Sequence, residues 1–281
     1  MSAVKSWTVS GELWNRVDPL IPKYKRLKAK KYLRRPGGGR KPMDPRKVFE
    51  AIVYVLRTGC QWKALPKEVF GSPSSIHKYF WEWKRKKVFV RLWRKGLAEY
   101  DEMEGIAWRW QSVDGAMVKA PLALEAVGPN PTDRGKKWDQ AKPFGRRELN
   151  PLSLVVSGAQ RHDVKLLEPT LDGTVVDRPS EGEGPKQHLC GDKAYSGQPA
   201  QESMRERGYI PHVRQRGEEI EEKKRNPRYR ARRWVVERTQ SWLNRFRKLL
   251  VRYEKTVGSY KGLLELACAL ITFRHVIIIY G

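Results

Sequence analysis

The sequence predicts an α/β protein, a mixed sheet flanked by helices and preceded by a small all-α region. Apolar residues recur at helical spacing up to about residue 105, then alternate with polar ones. From there, short strand-like runs take turns with helix-like ones, the pattern of a sheet with crossover helices. At 281 residues the chain can bury a full core, and eleven tryptophans and 40% hydrophobic content argue for a folded protein.

The elements follow in order. SGELWNRVDPLIP starts at a Ser cap and stops at a proline, giving a helical segment over residues 1–22. Residues 23–43, KYKRLKAKKYLRRPGGGRKP and its neighbours, have few core residues and read as a basic linker. DPRKVFEAIVYVLRTG carries Asp44 as cap, Pro45 at the first helical position and Gly59 as stop. QWKALPKEVFG is a short helix or turn, and SPSSIHKYFWEWKRKKVFVRLWRKGLAEY holds one or two helices from a Ser72 cap, completing a helical domain over 44–105. Ile76, Tyr79, Phe80 and Trp83 form an apolar face, while Ser74, Ser75, His77, Lys78, Lys84 and Arg85 lie mostly off it. Periodicity leaves two readings open: a helix-turn-helix that offers residues 73–86 to a major groove, or a helical bundle with a solvated basic surface.

In residues 106–257, GIAWRWQSVDGAMVKAP, PLSLVVSG, KQHLCGDKAY and YIPHVR read as strands, and LLEPTLDG and QPAQESMRERG as helices. The C-terminal run LLELACALITFRHVIIIY contains Glu265, Arg274 and His275, so residues 258–281 read as a helix packed on the α/β domain of residues 106–257 and not as a membrane span. Cys60, Cys190 and Cys268 are too few and scattered for a disulfide framework or a cysteine-based zinc site, and no signal peptide is visible. A reducing cytoplasm is the expected setting.

Charge points to the partner. The formal net charge is +26. Residues 1–105 hold 25 Lys and Arg against 10 Asp and Glu, residues 106–222 hold 17 against 18, and residues 223–255 hold 13 against 2. Two basic blocks around a neutral middle fit a polyanion, double-stranded DNA first. Neither a membrane nor a small-molecule substrate is expected.

Three acids stand out. Asp114 and Asp192 sit at strand ends, although Asp114-Gly115 is also a type I′ hairpin signal and Asp192 also fits a turn. Glu237 stands among bases. Taking residues 235–253 as one helix, it lies opposite the Val235, Trp242, Phe246, Leu249 and Tyr253 stripe, on the face of Arg230, Arg233, Asn244 and Lys248. A solvated salt bridge to Arg233 is the simpler reading of Glu237 alone. Together the three carboxylates fit another chemistry: phosphodiester cutting and joining uses two hard divalent cations held by convergent oxygen ligands, with Arg and Lys on the DNA backbone.

SVDGAMVKAP, GPNPTDRGKKWDQ, VVSGAQRHDVKLLEP, GDKAYSG and RRWVVERTQSWLNRFRKLLVRYEK, in that order, resemble the DDE transposases of bacterial insertion sequences. SGELWNRVDPLIP, the GGGRKP linker and VLRTGCQWKALP resemble the DNA-binding region that precedes the catalytic domain in one large group of them. The resemblance implies an RNase H-like catalytic domain in which Asp114, Asp192 and Glu237 bind two Mg²⁺ ions, with Mn²⁺ tolerated. Arg233 matches the family's Arg four residues before the Glu; Arg230 and Asn244 replace its Tyr and Lys. Asp192 and Glu237 are 45 positions apart, too close for the large β insertion of some relatives. The expected DNA contacts are Arg34, Arg35, Arg40, Lys41, Ser74, Ser75, His77, Lys78, Lys84, Arg85, Arg134, Lys136, Arg230, Arg233, Asn244 and Lys248. Asp133, His162 and Asp163 read as DNA contact or support, Asp163 being the main rival to the triad. The resemblance further implies binding to terminal inverted repeats and target DNA by a homodimer or larger synaptic assembly. A non-catalytic DNA-binding relative and a structure-specific nuclease of the same fold are the alternatives.

Overall fold

A computed structural model describes residues 7–23, 31, 41–106, 108–130, 137–146, 150–180, 184–213, 221, 224–226 and 241–279. The helical region begins with α1 (Gly11–Val17), whose Ser10 Oγ accepts the Leu13 amide hydrogen at 3.1 Å. The same hydroxyl donates to the Ile278 carbonyl at 2.6 Å, so the first helix is fastened to the chain's other end. In α2 (Pro45–Thr58), the Asp44 carboxylate caps the Arg46 amide and the helix stops at Gly59 in the left-handed region, as the sequence predicts. Its Val48, Phe49, Ile52, Val53, Val55 and Leu56 are all fully buried, each stabilising by roughly 1.5–3 kcal/mol relative to exposure.

A 3₁₀ turn (Trp62–Ala64) and α3 (Lys67–Phe70) lead to α4 (Pro73–Arg85) and α5 (Val88–Glu104). Ser72 precedes α4 as expected, but its side chain makes no capping hydrogen bond. Lys87, between the two helices, has φ 57° and makes the corner.

The sheet is built from β1 (Trp110–Val113), β2 (Ala116–Lys119), β3 (Gly128–Pro129), β4 (Lys137–Arg146), β5 (Pro151–Gly158), β6 (Gln187–Cys190) and β7 (Tyr209–His212). Across it the order runs β5, β4, β1, β6, β7, with β2 on the same edge of β4 as β1. β4 is antiparallel to β1, β2 and β5, whereas β6 and β7 run parallel to β1 and to each other. The parallel strands are reached through α6 (Val164–Asp172) and α7 (Gln198–Glu206), as parallel pairing requires a crossover. An antiparallel meander extended by two parallel strands is the expected RNase H-like arrangement.

The two regions share one hydrophobic core. α8 (Val257–Phe273), expected on the catalytic domain, packs chiefly along α5 and also touches β5 and α4. The close approach occurs at Gly96, where a Cβ would stand 3.0 Å from the Phe273 ring. From α5, the Trp93 indole N–H donates to the Pro151 carbonyl of β5 at 2.9 Å, tying the helices to the sheet. No helix among the described residues is long and apolar enough to cross a membrane. The three cysteines form no disulfide.

Gly59 is a second fixed joint. Its φ is +75°, and a Cβ there would stand 3.1 Å from the Arg247 Cβ and 3.2 Å from the Arg247 carbonyl carbon. Gly59→Ala therefore combines left-handed strain with a tight contact on the Arg247 backbone and is expected to destabilise by more than about 1 kcal/mol. Thermal unfolding of the two proteins measures it; an unchanged midpoint would refute the constraint.

Candidate active site

The geometry of β1 decides what Asp114 is. Val113 pairs with Phe144 and Ala116 with Ala141, so β1 and β2 run in one direction along β4 without a change of register. The hairpin reading of Asp114-Gly115 is thereby excluded: the pair interrupts a continuing strand. Pro143, opposite the interruption, has no amide hydrogen for the ladder. The Gly115 amide hydrogen goes instead to Asp114 Oδ1 at 2.7 Å.

Asp192 follows β6. Ser112 pairs with Cys190 in the parallel ladder, and two residues further each chain reaches its aspartate. Asp114 and Asp192 therefore stand beyond neighbouring parallel pairs, at the carboxyl ends where open α/β sheets place their ligands. Asp192 Oδ1 accepts the Ala194 amide hydrogen at 3.1 Å and caps a 3₁₀ turn (Lys193–Tyr195). The turn reading of Asp192 is thus correct locally, and compatible with a metal-facing role for the remaining oxygen.

Tyr195 joins the acids. Its side chain is fully buried. Burial, and then the negative charges of Asp163, Asp192 and Asp114, push its phenol far above the usual value. One buried ring therefore feels the charge of three carboxylates, Asp163 at the start of α6 among them. Tyr195 also limits residue 191 to glycine, since a Cβ there would stand 2.9 Å from its ring. The sequence reading passed over Tyr195, although its spacing three residues after Asp192 places it in the same turn.

Among the described residues, no group of three His, Cys, Asp or Glu side chains is placed to hold a metal ion. Asp114 and Asp192 supply two hard oxygen donors, a set that suits Mg²⁺ and not a soft metal. Glu237 lies outside the described residues, as do Arg230, Arg233, Arg34, Arg35, Arg40, Asp133, Arg134 and Lys136.

The expected helix through residue 253 is corrected. Helical structure ends at Leu243; a turn and a 3₁₀ segment (Arg247–Leu249) follow, and Val251 bridges to Lys119 beside β2. Asn244 is exposed in the turn. Lys248 is 4% exposed, pairs with Glu254 at 3.2 Å and donates to the Cys60 carbonyl at 3.3 Å. An ammonium so enclosed is no phosphate ligand, so Lys248 leaves the DNA-contact set.

The α4 residues divide. Ser74, Lys78 and Arg85 are exposed and, at about 100° per residue, share one side. Ser75 is half-buried. His77 is half-buried against Trp62, ring centroids 4.8 Å apart, and burial with nearby Lys248 holds its pKa below the usual value. Lys84 is half-buried: its stem lies against Gly262 of α8, its ammonium is near Gly258, and its charge acts on the buried Glu265. Lys41 is exposed at the end of the basic segment, which Tyr79 fastens to α4 by accepting the Met43 amide hydrogen at 3.3 Å.

Residues 111–272 match the family described as "Transposase DDE domain", and residues 9–93 match "Putative transposase of IS4/5 family". The "Putative transposase for insertion sequence element IS402" of Burkholderia cepacia is 33% identical over 151 residues, 53% of this chain and 69% of that protein. An "uncharacterized 16.2 kDa protein" of the same element and organism is 29% identical over 124 residues, 44% of this chain and 80% of that one. Among solved structures, the Mos1 transposase paired-end complex aligns over 84% of this chain and 82% of that chain, at 10% identity and a TM-score of 0.28.

Proposed function

Because the chain belongs to the DDE transposases of IS4/5-type bacterial insertion sequences, we propose that it moves its element by cutting and joining DNA. It binds the terminal inverted repeats, cleaves to expose 3′-OH ends, and joins those ends to target DNA. The observation that carries this is the juxtaposition of Asp114 and Asp192 beyond neighbouring parallel strands, within the matched family segment. Glu237 completes the triad, and the assembly that pairs two ends is a homodimer or larger.

Mg²⁺, with Mn²⁺ tolerated, would be held by Asp114, Asp192 and Glu237 as two ions, lowering the pKa of the attacking hydroxyl and neutralising phosphate charge. The chain's own part is positional. The strand break at Asp114 and the capped turn at Asp192 fix two carboxylates in advance of substrate. In the first step, water attacks the phosphorus at the element's end; the P–O3′ bond breaks and the freed oxygen leaves as a 3′-OH. In the second, that 3′-OH attacks a target phosphodiester, and the displaced target oxygen takes the proton. One phosphodiester replaces another, so no external energy source is needed. Exposed Ser74, Lys78 and Arg85 on α4, with exposed Lys41 in the basic segment, offer the end-recognising surface.

The test is a strand-transfer assay with full-length protein, Mg²⁺, a labelled duplex carrying the inverted repeat, and a target plasmid. Joined product is the expected result. Cleavage without joining identifies a nuclease, and salt-sensitive binding without cleavage identifies a regulator; either sinks the proposal.

A further inference from the structure

The segment WLNRFRKL, residues 242–249, places arginines on aromatic rings. The guanidinium of Arg245 lies over the Trp242 ring at 3.9 Å, and that of Arg274, from beyond the end of α8, lies over the same ring at 4.4 Å. Arg57, in the last turn of α2, lies over Phe246 at 5.7 Å. Arg247 is exposed beside them, its backbone against Gly59. His275 adds an edge contact to Trp242 at 6.4 Å.

Three parts of the chain far apart in sequence thus bring Arg57, Arg245, Arg247 and Arg274 into one strip. Arg245, Arg247 and Arg274 are exposed. Stacking on a ring restricts a guanidinium's motion, so less freedom remains to be lost when an anion binds. Two cations on one ring also repel each other, and a polyanion relieves that repulsion. A row of fixed guanidinium forks suits successive phosphates of a nucleic-acid backbone, which arginine contacts without reading bases.

We infer that this strip, from the C-terminal turn of α2 across residues 245–247 to Arg274, is a sequence-independent clamp for the DNA phosphate backbone. The inference rests on the transposase reading above and adds residues outside the expected contact set. Trp242 and Phe246 serve as the platforms.

The experiment measures duplex affinity of the full-length protein against salt concentration, for a duplex with the inverted repeat and for one of random sequence. Removing two phosphate contacts lowers the slope of log affinity against log salt by about 0.9 each. Arg245→Gln with Arg274→Gln is therefore expected to flatten the slope by roughly 1.8, equally on both duplexes, with the melting temperature kept. The single variants, each flattening it by about 0.9, give the reading if the pair is destabilised. A slope unchanged from wild type overturns the clamp while leaving the transposase proposal standing. A wild-type protein without salt-dependent DNA binding overturns both.

Discussion

Replacing Asp114 by asparagine is expected to reduce Mg²⁺-dependent cleavage of an end-bearing duplex by roughly 10³-fold or more, about 4 kcal/mol of barrier. Binding of the same duplex should stay within a fewfold of wild type. Asparagine keeps the oxygen that accepts the Gly115 amide hydrogen, so the strand break persists and only the charge is lost. Asp192→Asn should behave alike, since an amide oxygen can still cap the Ala194 N–H. Asp163→Asn is the discriminating control, because Asp163 shares the surroundings of Tyr195 with both. The assignment predicts a smaller loss there. Cleavage abolished by Asp163→Asn and spared by Asp192→Asn would replace Asp192 in the triad. Cleavage unchanged in Asp114→Asn would end the proposed mechanism.

What the sequence could reveal follows from the range of the interactions involved. The borders of α2 were legible because Asp44, Pro45 and Gly59 act through local backbone chemistry. The strand at Pro151–Gly158 was legible from its apolar run. Asp114-Gly115 was ambiguous because the same dipeptide closes a hairpin or breaks a strand, and the choice is made by β4, more than twenty residues away. β4 itself gave no strand signal, since Lys137–Arg146 alternates poorly and contains a proline.

The helix expected through residue 253 failed for a related reason. Its apolar spacing fits a helical period, yet Phe246 and Leu249 are buried from a turn and a 3₁₀ segment that meet α2. Periodicity reports burial, and here burial was achieved without helix. Lys248 followed the same error: the wheel placed it beside Glu237, whereas its partners Glu254 and Cys60 belong to the joint with the helical region. The placement of Lys84 depends on α8, another long-range contact with no local signal.

Arg252→Ala is expected to be the most destabilising single substitution outside the apolar core, by about 3 to 5 kcal/mol near neutral pH. Arg252 is fully buried; it pairs with Asp139 of β4 at 3.1 Å and donates to the carbonyls of Glu125 at 2.9 Å and Glu254 at 3.1 Å. Its own amide hydrogen goes to the Lys119 carbonyl at 2.8 Å, so one residue fastens the segment after the Arg247–Leu249 turn to β2. Burial raises the Asp139 carboxyl from 3.8 to about 6, although the hydrogen bond and charge of Arg252 both pull it down. A folded-state value above the unfolded one means that the folded protein holds this proton more tightly. The associated stability is complete below about pH 4 and is lost as pH rises through about 6. Without Arg252 the carboxyl rises further, so the variant's deficit relative to wild type should be largest above pH 7 and shrink as pH falls toward 5. Denaturant unfolding of both proteins at pH 5 and pH 8 reads this directly. A deficit equal at the two pH values would assign the cost to the orphaned carbonyls and not to the uncompensated charge. Asp139→Asn supplies the complement: it removes the titrating group, so its stability relative to wild type should change between pH 4 and 6 and stay level above.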